Sequence, residues 1–184
     1  MQHHAVYITL KLRMTAALYI FGTSHSLQCA AASVDAAKVA AYEAELLSVC
    51  KRHGISRIAE EMSDEGRAKY GVTTTVGRRV AENMDIVQHE VDLTSAERYA
   101  LGLDNFVVAL TQMHHDFPEG DNSFQVAFEA MRLGVRERCW IGRTLARSER
   151  PALLICGADH SLSVQRLWLS LGMPAVVCHA NYEP

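Results

Sequence analysis

The chain has 184 residues, 49% of them hydrophobic and 21% charged, with a formal net charge of −3. That is enough for one domain with a full core and short for two, in the composition of an ordinary soluble globule. The weak negative balance gives no electrostatic reason to expect nucleic acid or an anionic membrane, and no apolar run approaches the roughly 18 residues of a membrane span.

Residues 1–13 do not resemble a signal peptide, because the charges of Lys11 and Arg13 come after the apolar stretch Ala5–Leu10 instead of preceding it. Met14 is a natural start, so residues 1–13 read as an upstream or added extension, or an extra edge strand. His3 and His4 receive no functional weight, and residues 14–184 form the domain proper. Leu18-Tyr19-Ile20-Phe21 is then an apolar run ending at Gly22, with His25 three residues on and Ser24 and Ser26 beside it. Such runs bounded by turn residues suit interior strands of a parallel sheet.

From Ala30 to Arg52 the apolar positions recur at helical spacing, and His53-Gly54 supplies the stop. Ile55–Ala59 reads as a short strand ending in Glu60-Glu61. Paired acids there are commonly the start of a solvated loop, yet they also fall where a third member of a site beside His25 is expected. Met62–Thr75 is either a flap over that site or a plain connection. Thr75–Met84 fits a helix, and Asp85–Asp92 alternates like a strand, with Glu90 and Asp92 at its end and His89 before it on a helix-covered or solvent face. Thr94-Ser95-Ala96-Glu97 has the form of a capping box opening a short helix. Met113–Pro118, with His114, His115 and Asp116, resembles a metal cluster by composition, but adjacent side chains diverge, and a surface loop is the better reading.

Ser123–Glu149 is the longest helical stretch. Phe124, Phe128, Met131, Val135, Cys139, Gly142 and Ala146 share one face, the expected buried one, and Arg132, Arg136, Trp140, Arg143 and Arg147 share a face expected to be solvated. Within Arg136-Glu137-Arg138, Arg138 borders the apolar face, so that a half-buried guanidinium there could hold a site carboxylate or an oxyanion. Gly134 is a candidate kink. The strand Ala152–Cys156 leads into a second Gly-x-x-His, Gly157-Ala158-Asp159-His160, with Ser161 directly after it. A helix over Leu162–Leu171 and a strand Ala175–Cys178 close the chain, with His179 a weaker candidate at its end.

Alternating strands and helical crossovers predict an α/β fold: a single domain with a mostly parallel central sheet and helices on both faces. In such sheets ligands gather beyond the carboxyl ends of the strands, which would put His25 and His160 on one rim. The five cysteines, odd in number and without Cys-x-x-Cys, read as small core residues in a reducing compartment, hence a cytoplasmic protein.

An early Gly-x-x-His (Gly22, His25), acids after the next strand (Glu60, Glu61), an arginine in a late helix (Arg136 or Arg138) and a second Gly-x-x-His (Gly157, His160) together resemble the superfamily joining the TraB and TIKI proteins, the erythromycin esterases and the ChaN-like proteins. The likeness spans residues 17 to about 179 on few positions. Its members include a metal-dependent peptidase, a hydrolase of macrolide lactones and a haem-binding protein, so it implies fold and site location more than substrate.

The expected chemistry is hydrolysis of an ester, lactone or amide in a small molecule or peptide. In one version His25, His160 and Glu60 or Glu61 hold a divalent metal that activates water. In the other a histidine paired with a glutamate deprotonates water directly, while Arg136 or Arg138 or helix amides stabilise the oxyanion. Ser24, Ser26 and Ser161 are better suited to capping and orienting imidazoles than to nucleophilic attack, and Glu90, Asp92, Glu137 and Asp159 are secondary candidates. The competing expectation is a non-catalytic domain binding a small anion, metal or cofactor on the same rim.

Overall fold

A computed structural model describes residues 18–103, 123–147 and 151–184. The expected extension 1–13 and the Met113–Pro118 cluster lie outside these residues. Five parallel strands form one sheet: β1 (Leu18–Thr23), β2 (Arg57–Glu60), β3 (Val87–Glu90), β4 (Ala152–Gly157) and β5 (Ala175–Tyr182), in the order β3-β2-β4-β1-β5. The single α/β domain expected from the alternation of elements is the one observed. β1 and β4 are buried almost throughout, which explains why their sequences are continuous apolar runs without alternation.

Helices cover both faces. On one side α1 (His25–Gln28), α2 (Ala36–His53) and α4 (Val76–Asn83) enclose a core containing Phe21, Leu27, Tyr42, Leu46, Ile58, Val80 and Ile155. The short α3 (Asp64–Lys69) lies in the connection before α4, where the sequence has no clear period. On the other side α6 (Ser123–Leu145) and α7 (Ser161–Ser170) contribute Trp140, Ile141, Val164 and Trp168 against Leu18, Ile20, Ala59 and Leu154. Between β3 and α6 runs α5 (Ser95–Ala100), opened by the expected capping box of Thr94 and Glu97. Gly54 ends α2 at φ 59°, in the left-handed region that stops helices and favours glycine.

From Leu133 onward the expected faces of α6 do not hold: Glu137, Trp140, Ile141 and Thr144 are buried, whereas Gly142 and Ala146 are exposed and Val135 and Cys139 only half-buried. The side chains of Phe124, Phe128, Met131 and Arg132 lie outside the described ones. Small side chains counted as apolar gain little by burial, while Trp140 gains much and the polar groups around it carry partners inward. The helix also runs through Gly134.

Gly22 has a structural reason to lack a side chain: a Cβ there would collide with the carbonyl oxygen of Ala180 on the neighbouring strand. Gly22→Ala is expected to push β5 away from β1 and to cost stability at the upper end of the roughly 1–3 kcal/mol of an overpacked interior, read as a lowered denaturant midpoint.

Candidate functional site at the carboxyl rim

Three adjacent strands aim their carboxyl ends at one place. Thr23 pairs with Gly157 and Glu60 with Ile155, so the residues just after β1, β2 and β4 emerge side by side. The chain leaves β1 towards the α2 face and β4 towards the α7 face, opening the sheet at a topological switch point. The hydroxyl of Ser24 caps α1 by accepting from the Leu27 amide, which seats His25 at the first helical position. A single 3-10 turn (Ala158–His160) then presents His160 from the opposite side of the crevice.

Between the two imidazoles stands Glu61, 1% exposed. Its Oε1 lies 3.5 Å from His25 Nε2 and 3.7 Å from His160 Nε2, and it accepts from Arg136 Nη2 at 3.0 Å. The other oxygen, Oε2, accepts the Gly157 amide at 2.7 Å. Arg136 is itself held by Asp92 through Nε and Nη2 at 3.0–3.2 Å and stacks over Trp140, whose indole N–H donates to Asp92 at 3.0 Å. Next along α6, Glu137 meets His160 Nδ1 at 2.8 Å and receives the Ser163 hydroxyl at 2.5 Å, while Trp140 packs edge-on against the His160 ring. Gly157 forms the floor: a Cβ there would sit 3.4 Å from Glu61 Oε2 and from His160 Cδ2, and 3.5 Å from His25 Nε2.

Burial raises the Glu61 carboxyl above its usual range, against the pull of both imidazoles, the Gly157 amide and Arg136. For His160, burial acts to lower the imidazole, but the Glu137 hydrogen bond and the nearby Glu61 charge outweigh it and the net direction is upward. A raised histidine contributes stability that is present below its unfolded value and lost as pH rises through the folded one. Shifts with specific charged partners on one rim mark groups placed to exchange protons.

The structure thus brings together His25, Glu61, Arg136, His160, Asp92 and Glu137. It separates Glu60 and Arg138 from them. Glu60 faces the α4 side, fully buried, where one oxygen accepts from Thr75 at 2.6 Å and Gln88 at 3.0 Å. Arg138 is exposed and donates to Gly134 O, one turn back in its own helix. Among the secondary candidates, Glu90 is paired with Arg67, Ser26 meets Ser24, and Ser161 donates to the carbonyls of Ala158 and Ala180. Asp159 is exposed, and His179 is bound to Glu45 at 3.0 Å. Trp140 and Ser163 join the site without having been singled out from the sequence; a large aromatic amid the arginines of α6 was the available signal for the first.

The groups that would hold a divalent ion are His25, His160 and Glu61. The Arg136 guanidinium is bonded to the same Glu61 oxygen that faces both rings, and its fixed charge opposes a cation there. Among the described residues no group of three or more His, Cys, Asp or Glu is arranged as a metal site.

Glu60 carries a consequence for stability. Burial raises its carboxyl from 4.5 to about 7, against hydrogen bonds from Thr75 and Gln88. The folded state therefore holds a proton that the unfolded state has released, and stability falls as pH rises between these values, by about 3 kcal/mol in all. Glu60→Gln keeps an acceptor for Thr75 and Gln88 and should remove this slope. Urea denaturation should find the variant close to wild type near pH 5 and more stable near pH 8; an equal gain at both would contradict the shift.

No family model, curated protein or solved structure matches the chain. Among the described residues no helix is long and apolar enough to cross a membrane.

Proposed function

We propose that the protein is a small hydrolase of esters, lactones or amides that activates water with a histidine–glutamate pair. The observation that carries this reading is the approach of two imidazole Nε2 atoms, from two distant stretches of chain, to one buried Glu61 oxygen. His25, the more open of the two at 39% side-chain exposure, is placed with Glu61 to take a proton from water. His160 is enclosed between Glu61 and Glu137 and biased towards its charged form, which equips it to donate a proton to the oxyanion or the leaving group. Arg136 holds the Glu61 carboxylate in place and, with the two imidazoles and the Gly157 amide, offsets part of the cost of its burial. The 3.5 and 3.7 Å separations exceed direct hydrogen bonds and would tighten around a bound substrate.

The resemblance to the TraB, erythromycin esterase and ChaN-like superfamily agrees in the residue types and their order along the chain. A metal-assisted hydrolase and a non-catalytic domain that binds a small anion, metal or cofactor on this rim are the readings to be separated from it. Elemental analysis of the purified protein, then a panel of activated esters and peptides assayed with wild type and His25→Ala, distinguishes all three. Metal-free protein with turnover lost by at least ~100-fold in the variant is expected. Turnover that requires a divalent metal near one per chain supports the metal version instead, and histidine-independent or absent turnover overturns the proposal.

A further inference from the structure

We propose that Glu137 is a positioning residue that fixes the tautomer of His160, holding the proton on Nδ1 and leaving Nε2 as the only nitrogen that exchanges one in the site. This rests on the hydrolytic reading for its kinetic consequence, but not for its structural content.

Three contacts define the His160 ring. Nδ1 lies 2.8 Å from Glu137 Oε1, with both side chains under 10% exposed. The edge of Trp140 sets the ring plane, with centroids 4.8 Å apart and planes at 78°. Nε2 points to Glu61. An ionised carboxylate can only accept, so the shared hydrogen of the Glu137–His160 bond belongs to Nδ1. Ser163 strengthens the arrangement. Its hydroxyl donates to the same Glu137 oxygen at 2.5 Å and also lies 3.0 Å from the His160 carbonyl, joining α7 to the pair. Histidine free in water prefers the opposite neutral tautomer, protonated on Nε2. Without Glu137 the neutral ring would keep its proton on Nε2 and take up its second one at Nδ1, on the side away from Glu61. With it, His160 loses and regains a proton at Nε2 alone, on the side facing Glu61 and His25, and never through the core. Arg136 and Glu137 are consecutive in α6 yet serve different partners, one fixing Glu61 and the other His160. This one turn of helix therefore sets the relative geometry of acid and base.

Long-range ¹H–¹⁵N correlation spectra of ¹⁵N-labelled protein at about pH 9 read the tautomer without any substrate. Wild type is expected to show His160 protonated on Nδ1 and bare on Nε2. In Glu137→Ala the ring should pass mainly to the Nε2–H form, while in Glu137→Gln, whose amide oxygen still accepts, Nδ1–H should persist with its proton resonance moved upfield by the weaker acceptor. In the ester assay, Glu137→Ala should lose ~10–100-fold in kcat with KM little changed, and Glu137→Gln should recover most of it. A wild-type His160 carrying its proton on Nε2, or a tautomer unchanged by Glu137→Ala, overturns the assignment. Should Glu137→Ala fail to fold, resonances in Glu137→Gln identical to wild type overturn it equally. Absence of turnover with the tautomer as expected would sink the hydrolytic reading alone.

Discussion

Replacing Glu61 by glutamine is expected to abolish nearly all turnover, by about 10³-fold in kcat/KM, while the protein stays folded. Glutamine has the same shape, and its carbonyl can still accept the Gly157 amide that now donates to Oε2 at 2.7 Å. It removes the negative charge facing His25, His160 and Arg136, which together would lose their common counter-ion. Alanine should do more. With Glu61 only 1% exposed, its deletion leaves a half-buried guanidinium with Asp92 as its remaining acidic partner at the rim. Breaking a buried pair from one side costs roughly 3–5 kcal/mol, and the surviving Asp92 contact places this case near the lower figure. Kinetics on Glu61→Gln and denaturant melts on Glu61→Ala check the two halves separately. A glutamine variant with wild-type turnover would remove Glu61 from the chemistry.

The second large effect is expected at Gly157, where activity and stability should part company. The residue has φ −57° and ψ 144°, a conformation any amino acid adopts, so alanine brings no backbone strain. Its methyl group would come no closer than 3.4 Å to a neighbouring atom, which is ordinary contact. Gly157→Ala should therefore unfold within about 0.5 kcal/mol of wild type. The new methyl would nevertheless stand against Glu61 and both imidazoles, in space that water and substrate need. A reactant held about an ångström from its place costs ~10²-fold, and a loss of that size in kcat/KM is the expected result. Comparable losses of stability and activity would instead make Gly157 a packing residue only. Gly22 gives the contrast: it occupies the matching position of the first Gly-x-x-His, but an added methyl there meets backbone and should damage the fold.

That contrast separates what the chain made legible from what it did not. The two Gly-x-x-His motifs were legible because each comes directly after a continuous apolar strand, and parallel strands bring their carboxyl ends to one edge of the sheet. Their register supplies the rest, since Thr23 lies opposite Gly157. Which of the two glutamates enters the site was not legible. Successive residues of a strand point to opposite faces, so a strand end misplaced by one residue exchanges Glu60 for Glu61. Glu60 turned to the α4 side and Glu61 to the rim. The same holds for α6, where apolar periodicity favoured the Val135–Cys139 face. The helix is instead turned by what its polar side chains reach: Arg136 finds Asp92 and Glu61, Glu137 finds His160, and Trp140 fills the space between them. A helix that builds part of a site breaks the rule that apolar residues face inward. Arg138, two positions further on, is carried round to solvent.

The proposed mechanism depends on two histidines, 135 positions apart in the chain, working as one unit on a shared carboxylate. A double-mutant cycle on kcat/KM with His25→Ala, His160→Ala and the double variant measures this directly. Groups that act together are lost together, so the double variant should fall no further than the more damaged single one, within a few-fold. Losses that multiply, or turnover indifferent to both histidines, would contradict it.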